Sequence, residues 1–174
     1  MRKIALISDS HGHVDSSILQ ILENVDEIWH AGDIGQPDII NSLPNGKILR
    51  VVSGNIDDNG VKMKYPETCE FVVEGLKVLM THIGGRPGRY AKGIKQWIKA
   101  QNPDSFICGH SHICKVMFDK ELGCLYMNPG AIGHQGFHQT RTMLLFEVVG
   151  GKIENLRVVE LGKRGRALEK TKAL

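Results

Sequence analysis

The chain has 174 residues, 41% of them hydrophobic and 24% charged, with a formal net charge of +3. That length suits one domain, spanning residues 1–174, whose apolar core needs neither disulfides nor a structural metal. The small positive balance does not by itself argue for nucleic acid. The apolar run at residues 4–7 is too short for a signal peptide or a membrane span, so a cytoplasmic location with no membrane partner is expected. Cys69, Cys108, Cys114 and Cys124 show no C-x-x-C pairing and read as thiols, three of them in or beside strand-like runs.

Residues 3–8 form a short continuous apolar run, the mark of a strand buried on both faces, and end in the polar loop Asp9-Ser10-His11-Gly12-His13. Asp15 or Ser16 can cap a helix with Ile18, Leu22 and Val25 at helical spacing. Strands follow at 27–30 and 47–53, with a short helix at 37–41 between them, and each strand stops at a glycine followed by Asp33 or Asn55. Residues 69–73 and 76–81 read as a hairpin turning at Glu74-Gly75 and leading into His82. A helix is expected at 90–101, with Ile94, Trp97 and Ile98 inward and Lys92, Lys95 and Lys99 on a charged face. Five strands close the chain at 105–108, 114–118, 125–128, 143–149 and 156–161. A basic stretch from Gly162 to Leu174 reads as a solvated, partly frayed tail. Early βαβ units and late hairpins predict two packed, mixed sheets flanked by helices.

The chemistry lies in where the polar residues fall. Asp9 and His11, Asp33, Asn55, His82, and His110 with His112 each sit just after a predicted strand. Loops at the carboxyl ends of strands converge on one edge of an α/β sheet, so residues far apart in sequence can meet there. Carboxylate oxygen, imidazole nitrogen and the Asn55 amide oxygen suit Mn²⁺, Fe, Zn²⁺ or Ni²⁺. Seven such donors exceed the needs of one ion, whereas two ions sharing a carboxylate would use them all. Singly the pieces are weak, since Asp, His, Gly-Asp and Gly-Asn are ordinary loop residues. Two histidines at alternate positions in Gly109-His110-Ser111-His112 seldom arise for packing, and the ordered series is stronger than its parts.

Asp9-Ser10-His11, Gly32-Asp33, Gly54-Asn55-Ile56-Asp57, Thr81-His82 and Gly109-His110-Ser111-His112 resemble the ordered motifs of the calcineurin-like metallophosphoesterase superfamily. The compact bacterial and archaeal phosphodiesterase branch has this length, and Asn128-Pro129-Gly130 is similar to a further loop of it. The resemblance implies a four-layer α/β/β/α sandwich. It also implies two divalent metal ions, manganese first among the candidates: one on Asp9, His11, Asp33 and His112, the other on Asp33, Asn55, His82 and His110, with Asp33 bridging. Many members have a histidine after the asparagine of the Gly-Asn motif to protonate the leaving group. Ile56 stands there in this chain and carries no proton, which favours esters whose leaving alcohol is already a good anion.

The resulting expectation is a metal-dependent phosphodiesterase acting on small phosphate esters by attack of a metal-bridging hydroxide. Its candidate catalytic residues are Asp33, Asn55, Asp57 and His110. Asp57 either orients a histidine or the nucleophile, or simply caps a turn. His13 is a candidate substitute proton donor, His30 reads as core or as a residue supporting the ligands from behind, His134 and His138 as border residues, and Arg86 and Arg89 as solvent-facing cations able to neutralise a phosphate. The alternative is a non-catalytic scaffold of the same fold, as in the retromer subunit that resembles this family but departs from the ligand pattern. A nuclease ranks lower, because the chain leaves no room for an extended basic surface. Natural substrate and oligomeric state stay open, a homo-oligomer being one option.

Overall fold

In a computed structural model of the protein, residues 1–165 are described. The first half comprises strand β1 (Arg2–Ile7), helix α1 (Ser16–Leu22), β2 (Glu27–His30), α2 (Asp38–Asn41), β3 (Ile48–Val51) and α3 (Asn59–Lys64). A hairpin of β4 (Thr68–Val73) and β5 (Leu76–Thr81) follows, then a two-residue-per-strand hairpin, β6 (Gly85–Arg86) and β7 (Arg89–Tyr90), and helix α4 (Ile94–Gln101). The last third is all strand: β8 (Ser105–Ile107), β9 (Cys114–Asp119), β10 (Cys124–Pro129), β11 (Thr140–Val149) and β12 (Lys152–Lys163).

These strands make two five-stranded mixed sheets, ordered β12-β11-β1-β2-β3 and β4-β5-β8-β10-β9. At the centre of the first, β1, β2 and β3 run parallel, while β11 and β12 extend it antiparallel. At the centre of the second, β5, β8 and β10 run parallel, with β4 and β9 antiparallel at the edges.

Side chains alternate across a strand, and β1 shows what that does here. Ile4 and Leu6 point between the sheets, joining Trp29, Val78, Met80, Ile107 and Met127, whereas Ala5 and Ile7 point outward onto α1 and α2 through Ile18, Leu22 and Ile40. On the far side Leu79, Phe106 and Tyr126 pack under Ile98 and Trp97 of α4. The expected four-layer α/β/β/α sandwich is therefore the architecture, the central strands of each sheet buried on both faces, as the unbroken apolar run of β1 requires.

Several elements differ from the sequence reading, among them the short β6–β7 hairpin, which has no counterpart in it. Helix α4 starts at Ile94 rather than near residue 90, because Gly93 takes a left-handed φ of 84° and Tyr90 is already paired with Gly85. Helix α3 was not anticipated. Its signal is slight, a single buried Val61 and an N-cap in which the Asp58 side chain accepts from the Val61 amide at 2.9 Å. Strand β12 reaches Lys163, so the start of the expected basic tail is sheet, and the rest of that tail lies outside the described residues. Among the described residues no helix is long and apolar enough to cross a membrane. The four cysteines are free thiols, and burial pushes Cys108 and Cys124 up to about 11.

Candidate metal centre

Asp9, Asp33 and Asn55 lie just beyond the carboxyl ends of β1, β2 and β3, and His82 and His110 just beyond those of β5 and β8. Both parallel sets thus deliver polar loops to the same edge of the sandwich. The loops bend sharply to do so. Asp9, His11, Asp33, His110 and His112 have positive φ of 54°, 47°, 55°, 66° and 57°. Only three other described non-glycine residues, Glu74, Asn102 and Asn155, share that region. A Cβ makes this conformation unfavourable, at about 1–3 kcal/mol per residue when strained. Backbone strain is therefore concentrated on residues picked out as candidate ligands.

The side chains fall into two groups. In one, His112 Nε2 is 3.0 Å from Asp9 Oδ1 and 3.3 Å from His11 Nε2. In the other, His82 Nε2 is 3.2 Å from Asp33 Oδ1, and the His82 and His110 rings stand edge to face with centroids 5.2 Å apart. Within each trio, Asp9-His11-His112 and Asp33-His82-His110, the donor atoms lie within 4.8 Å of one another. Asp33 joins the two, its Oδ2 lying 3.9 Å from His11 Nε2 while its Oδ1 faces His82. Asn55 is exposed at the rim, and its loop is tied to Asp33 by the Ile56 amide, which donates to Asp33 Oδ1 at 3.1 Å.

The electrostatics of this cluster call for a cation. The Ala31 carbonyl, 2.8 Å from His82 Nδ1, can only accept, so Nδ1 carries the proton and the Nε2 lone pair faces the Asp33 carboxylate. His82 Nε2 and Asp9 Oδ1 are both buried without a hydrogen-bond partner; the 3.2 Å approach of His82 to Asp33 is close but not aligned as a hydrogen bond. Burial opposes protonation of His82, but the Asp33 and Asp9 carboxylates outweigh it and raise its pKa, the response of a site that attracts positive charge. Burial also disfavours the Asp33 carboxylate, yet His82, the Ile56 amide and His11 more than compensate, leaving it below the ordinary range. At His11 burial wins over the two carboxylates and the imidazole stays neutral more readily than usual. Oxygen and imidazole donors of this kind fit divalent transition metals. Gly54 allows the approach, since a Cβ there would overlap the Asp33 carboxylate and come within 2.9 Å of its Cα.

Residues 2–151 match the model of the calcineurin-like phosphoesterase superfamily domain. The chain belongs to that superfamily. A curated relative described as a probable metallophosphoesterase from Methanothermobacter thermautotrophicus is 27% identical over 134 residues, covering 74% of this chain and 76% of its own. Among solved structures, a novel archaeal phosphodiesterase superimposes with a TM-score of 0.71 at 21% identity, covering 91% of this chain and 99% of its own. Vps29 from Chaetomium thermophilum superimposes with a TM-score of 0.73 at 13% identity, covering 94% and 100%. At these identities the two structures speak for the fold.

Other residues of this superfamily member support the edge without joining the trios. Asp57 is buried and spans two loops, Oδ1 accepting from the Gly35 amide at 2.8 Å and Oδ2 from the Gly54 amide at 2.7 Å. That geometry favours the loop-fixing reading of Asp57 over one in which it orients a nucleophile. Asn128 clamps the histidine loop, donating to the Gly109 carbonyl at 2.8 Å and accepting from the Gly130 amide at 2.9 Å. His30 is fully buried between the Gly32 amide and the Ser10 hydroxyl.

His138, read from sequence as a border residue, has a closer role. Its Nε2–H donates to the Gly133 carbonyl at 3.2 Å, so its Nδ1 accepts from His112 Nδ1–H at 3.1 Å and leaves the His112 Nε2 lone pair facing Asp9. No sequence spacing announces this contact; the nearby signal is Gly136, where a Cβ would overlap the His112 ring. His13 is not with the trios. It pairs with Asp15 at 2.6 Å, its ring stands 4.7 Å from that of His134, and Arg141 holds the other Asp15 oxygen.

Proposed function

We propose that this protein is a single-domain, binuclear-metal-dependent phosphodiesterase acting on small phosphate esters. The observation that carries the reading is Asp33, whose two oxygens face different donor trios. Asp9, His11, Asp33 and His112 would hold one divalent cation, and Asp33, Asn55, His82 and His110 the other, Mn²⁺ being the first candidate before Fe, Zn²⁺ and Ni²⁺. Two bound cations supply Lewis acidity toward phosphoryl oxygens and lower the pKa of a shared water. The net reaction adds water across one P–O ester bond, giving a phosphate monoester and an alcohol.

The chain's own residues set the rest. His82 and His112 are fixed with Nε2 inward by Ala31 and His138, so neither ring has to reorient to bind. Asn55 and His110 are the exposed members, reachable by an ester approaching from solvent. Ile56, also exposed, offers no proton to the departing oxygen, and His13 is engaged with Asp15, so aryl and other good leaving groups are preferred. The free thiols suit a cytoplasmic enzyme.

The test is to strip the purified protein of metal, restore it with Mn²⁺, Fe²⁺, Zn²⁺ or Ni²⁺, and measure bound metal alongside bis(p-nitrophenyl) phosphate turnover. Two equivalents and turnover, both lost in Asp33→Asn, are expected. Absence of turnover with every ion would favour a non-catalytic scaffold. Cleavage of a labelled oligonucleotide in preference to the small ester would favour a nuclease.

A further inference from the structure

Beside the metal centre, a cavity of about 840 Å³ opens between the β6–β7 hairpin and the chain running from Gly109 to Lys115. His110 lies in its wall, so it is continuous with the proposed reaction site. Its volume is within the ~300–1,000 Å³ range of small-molecule pockets. Its lining combines two chemistries.

The first is apolar and partly aromatic. Ile83 and Ile113, which directly follow His82 and His112, are 44% and 65% exposed, a poor use of isoleucine unless something covers them. The half-buried ring of Tyr90 completes these walls. Its hydroxyl is already engaged, donating to Asp119 Oδ2 at 2.6 Å, so what it has left to offer is ring surface.

The second is cationic. Arg86, Arg89 and Lys115 line the cavity, and no carboxylate does. None of the three is in an ion pair among the described residues, although other surface lysines such as Lys95 do find acidic partners. The arginines sit on β6 and β7, whose pairing of Arg86 with Arg89 places two like charges opposite each other. That costs stability in a bare hairpin, and an anion shared between the two guanidinium groups relieves it.

We propose that this cavity is a substrate subsite for the non-reacting substituent of the diester. That substituent is a flat aromatic body bearing a further phosphate, as in a nucleotide. The idea rests on the phosphodiesterase reading above and narrows it. Ile83, Ile113 and the Tyr90 ring cover the flat body, and Arg86, Arg89 and Lys115 hold the second phosphate.

Two substrates with the same leaving group test it: thymidine 5′-(p-nitrophenyl phosphate) and its counterpart carrying an additional 3′-phosphate. With Mn²⁺-loaded protein, KM should be about tenfold lower for the 3′-phosphorylated substrate. That ratio should fall toward one in R86A, R89A and K115A, and KM for both substrates should rise in I113D. Reading a ratio between substrates cancels any general loss of activity or folding in a variant. If both esters are cleaved and the native ratio is near one, or survives all three charge removals, the subsite is wrong while the phosphodiesterase reading stands. If neither ester is cleaved, titration calorimetry with thymidine 3′,5′-bisphosphate decides the subsite separately. Binding that is lost in R86A and R89A supports it, and absence of binding, or binding indifferent to them, overturns it.

Discussion

Acidifying the metal-free protein from pH 7 to pH 4 should destabilise it through His30. The ring is fully buried at the end of β2, accepts the Gly32 amide at Nδ1 and donates from Nε2 to Ser10 Oγ, whose own hydroxyl donates to the Ile34 carbonyl. Protonation would put a second N–H against the Gly32 amide, with no acceptor to receive either. Burial accordingly lowers His30 from 6.5 to about 4, despite the opposing pull of Asp9 and Asp57. A histidine depressed in the folded state is protonated more readily in the unfolded chain, so its contribution is complete above pH 6.5 and is lost as pH falls toward 4. At 1.36 kcal/mol per unit, that window removes about 3 kcal/mol. Urea unfolding in EDTA at half-unit steps from pH 7.5 to 4 should show this slope. His30→Gln, which starts less stable, should show a shallower one, since other acid-sensitive groups such as His11 and His138 act equally in both proteins. Parallel curves for the two proteins, or an NMR titration placing His30 near 6.5, would refute the reasoning.

Gly54→Ala should lower stability by about 1–3 kcal/mol and weaken metal binding, because the new Cβ displaces the Asp33 carboxylate; Gly60→Ala, whose Cβ comes no nearer than 3.3 Å to any neighbour, that one being the Asp58 cap of α3, is the control for metal binding, and both are read by urea midpoint and by competition with a chelating dye. Asp57→Ala leaves the part-buried Gly35 amide and the buried Gly54 amide without acceptors and should cost about 2–4 kcal/mol in the same unfolding assay. His138→Phe keeps a ring beside His112 but removes the contact that sets its tautomer, so metal affinity should fall about 10–100-fold with little change in the far-ultraviolet dichroism.

What the sequence disclosed and what it withheld have physical causes. The first core strand was readable because a strand buried on both faces must be continuously apolar, and β1 at Arg2–Ile7 falls where the run Ile4-Ala5-Leu6-Ile7 does. The candidate ligands were readable because a strand that ends in glycine and a polar residue marks its own carboxyl edge. Sheet order was not readable, since pairing β8 between β5 and β10 depends on contacts the local pattern does not encode. Helix α3 was missed because one buried residue in six makes no periodicity. His138 was missed for a different reason: it follows a fully exposed Phe137 in a glycine-bearing loop, with no strand end to announce it.

The positive φ angles decide how the edge should be regarded. A fold selected for stability alone would place glycine or asparagine at such positions, as the turn at Gly150-Gly151 and the irregularity of β12 at Asn155 do. Here aspartate and histidine occupy five of them, and the same loops leave Asp9 Oδ1 and His82 Nε2 buried without partners. Each feature costs free energy in the isolated chain, and they coincide on one sheet edge rather than being spread over the surface. A scaffold that used only its outer faces for partners would gain nothing from keeping both. A bound cation offsets both at once, by satisfying the orphaned atoms and by making the bent backbone the conformation that brings them together. Metal loading should therefore raise the unfolding midpoint steeply, and a chain whose stability is indifferent to every divalent ion would remove the reason for the strain.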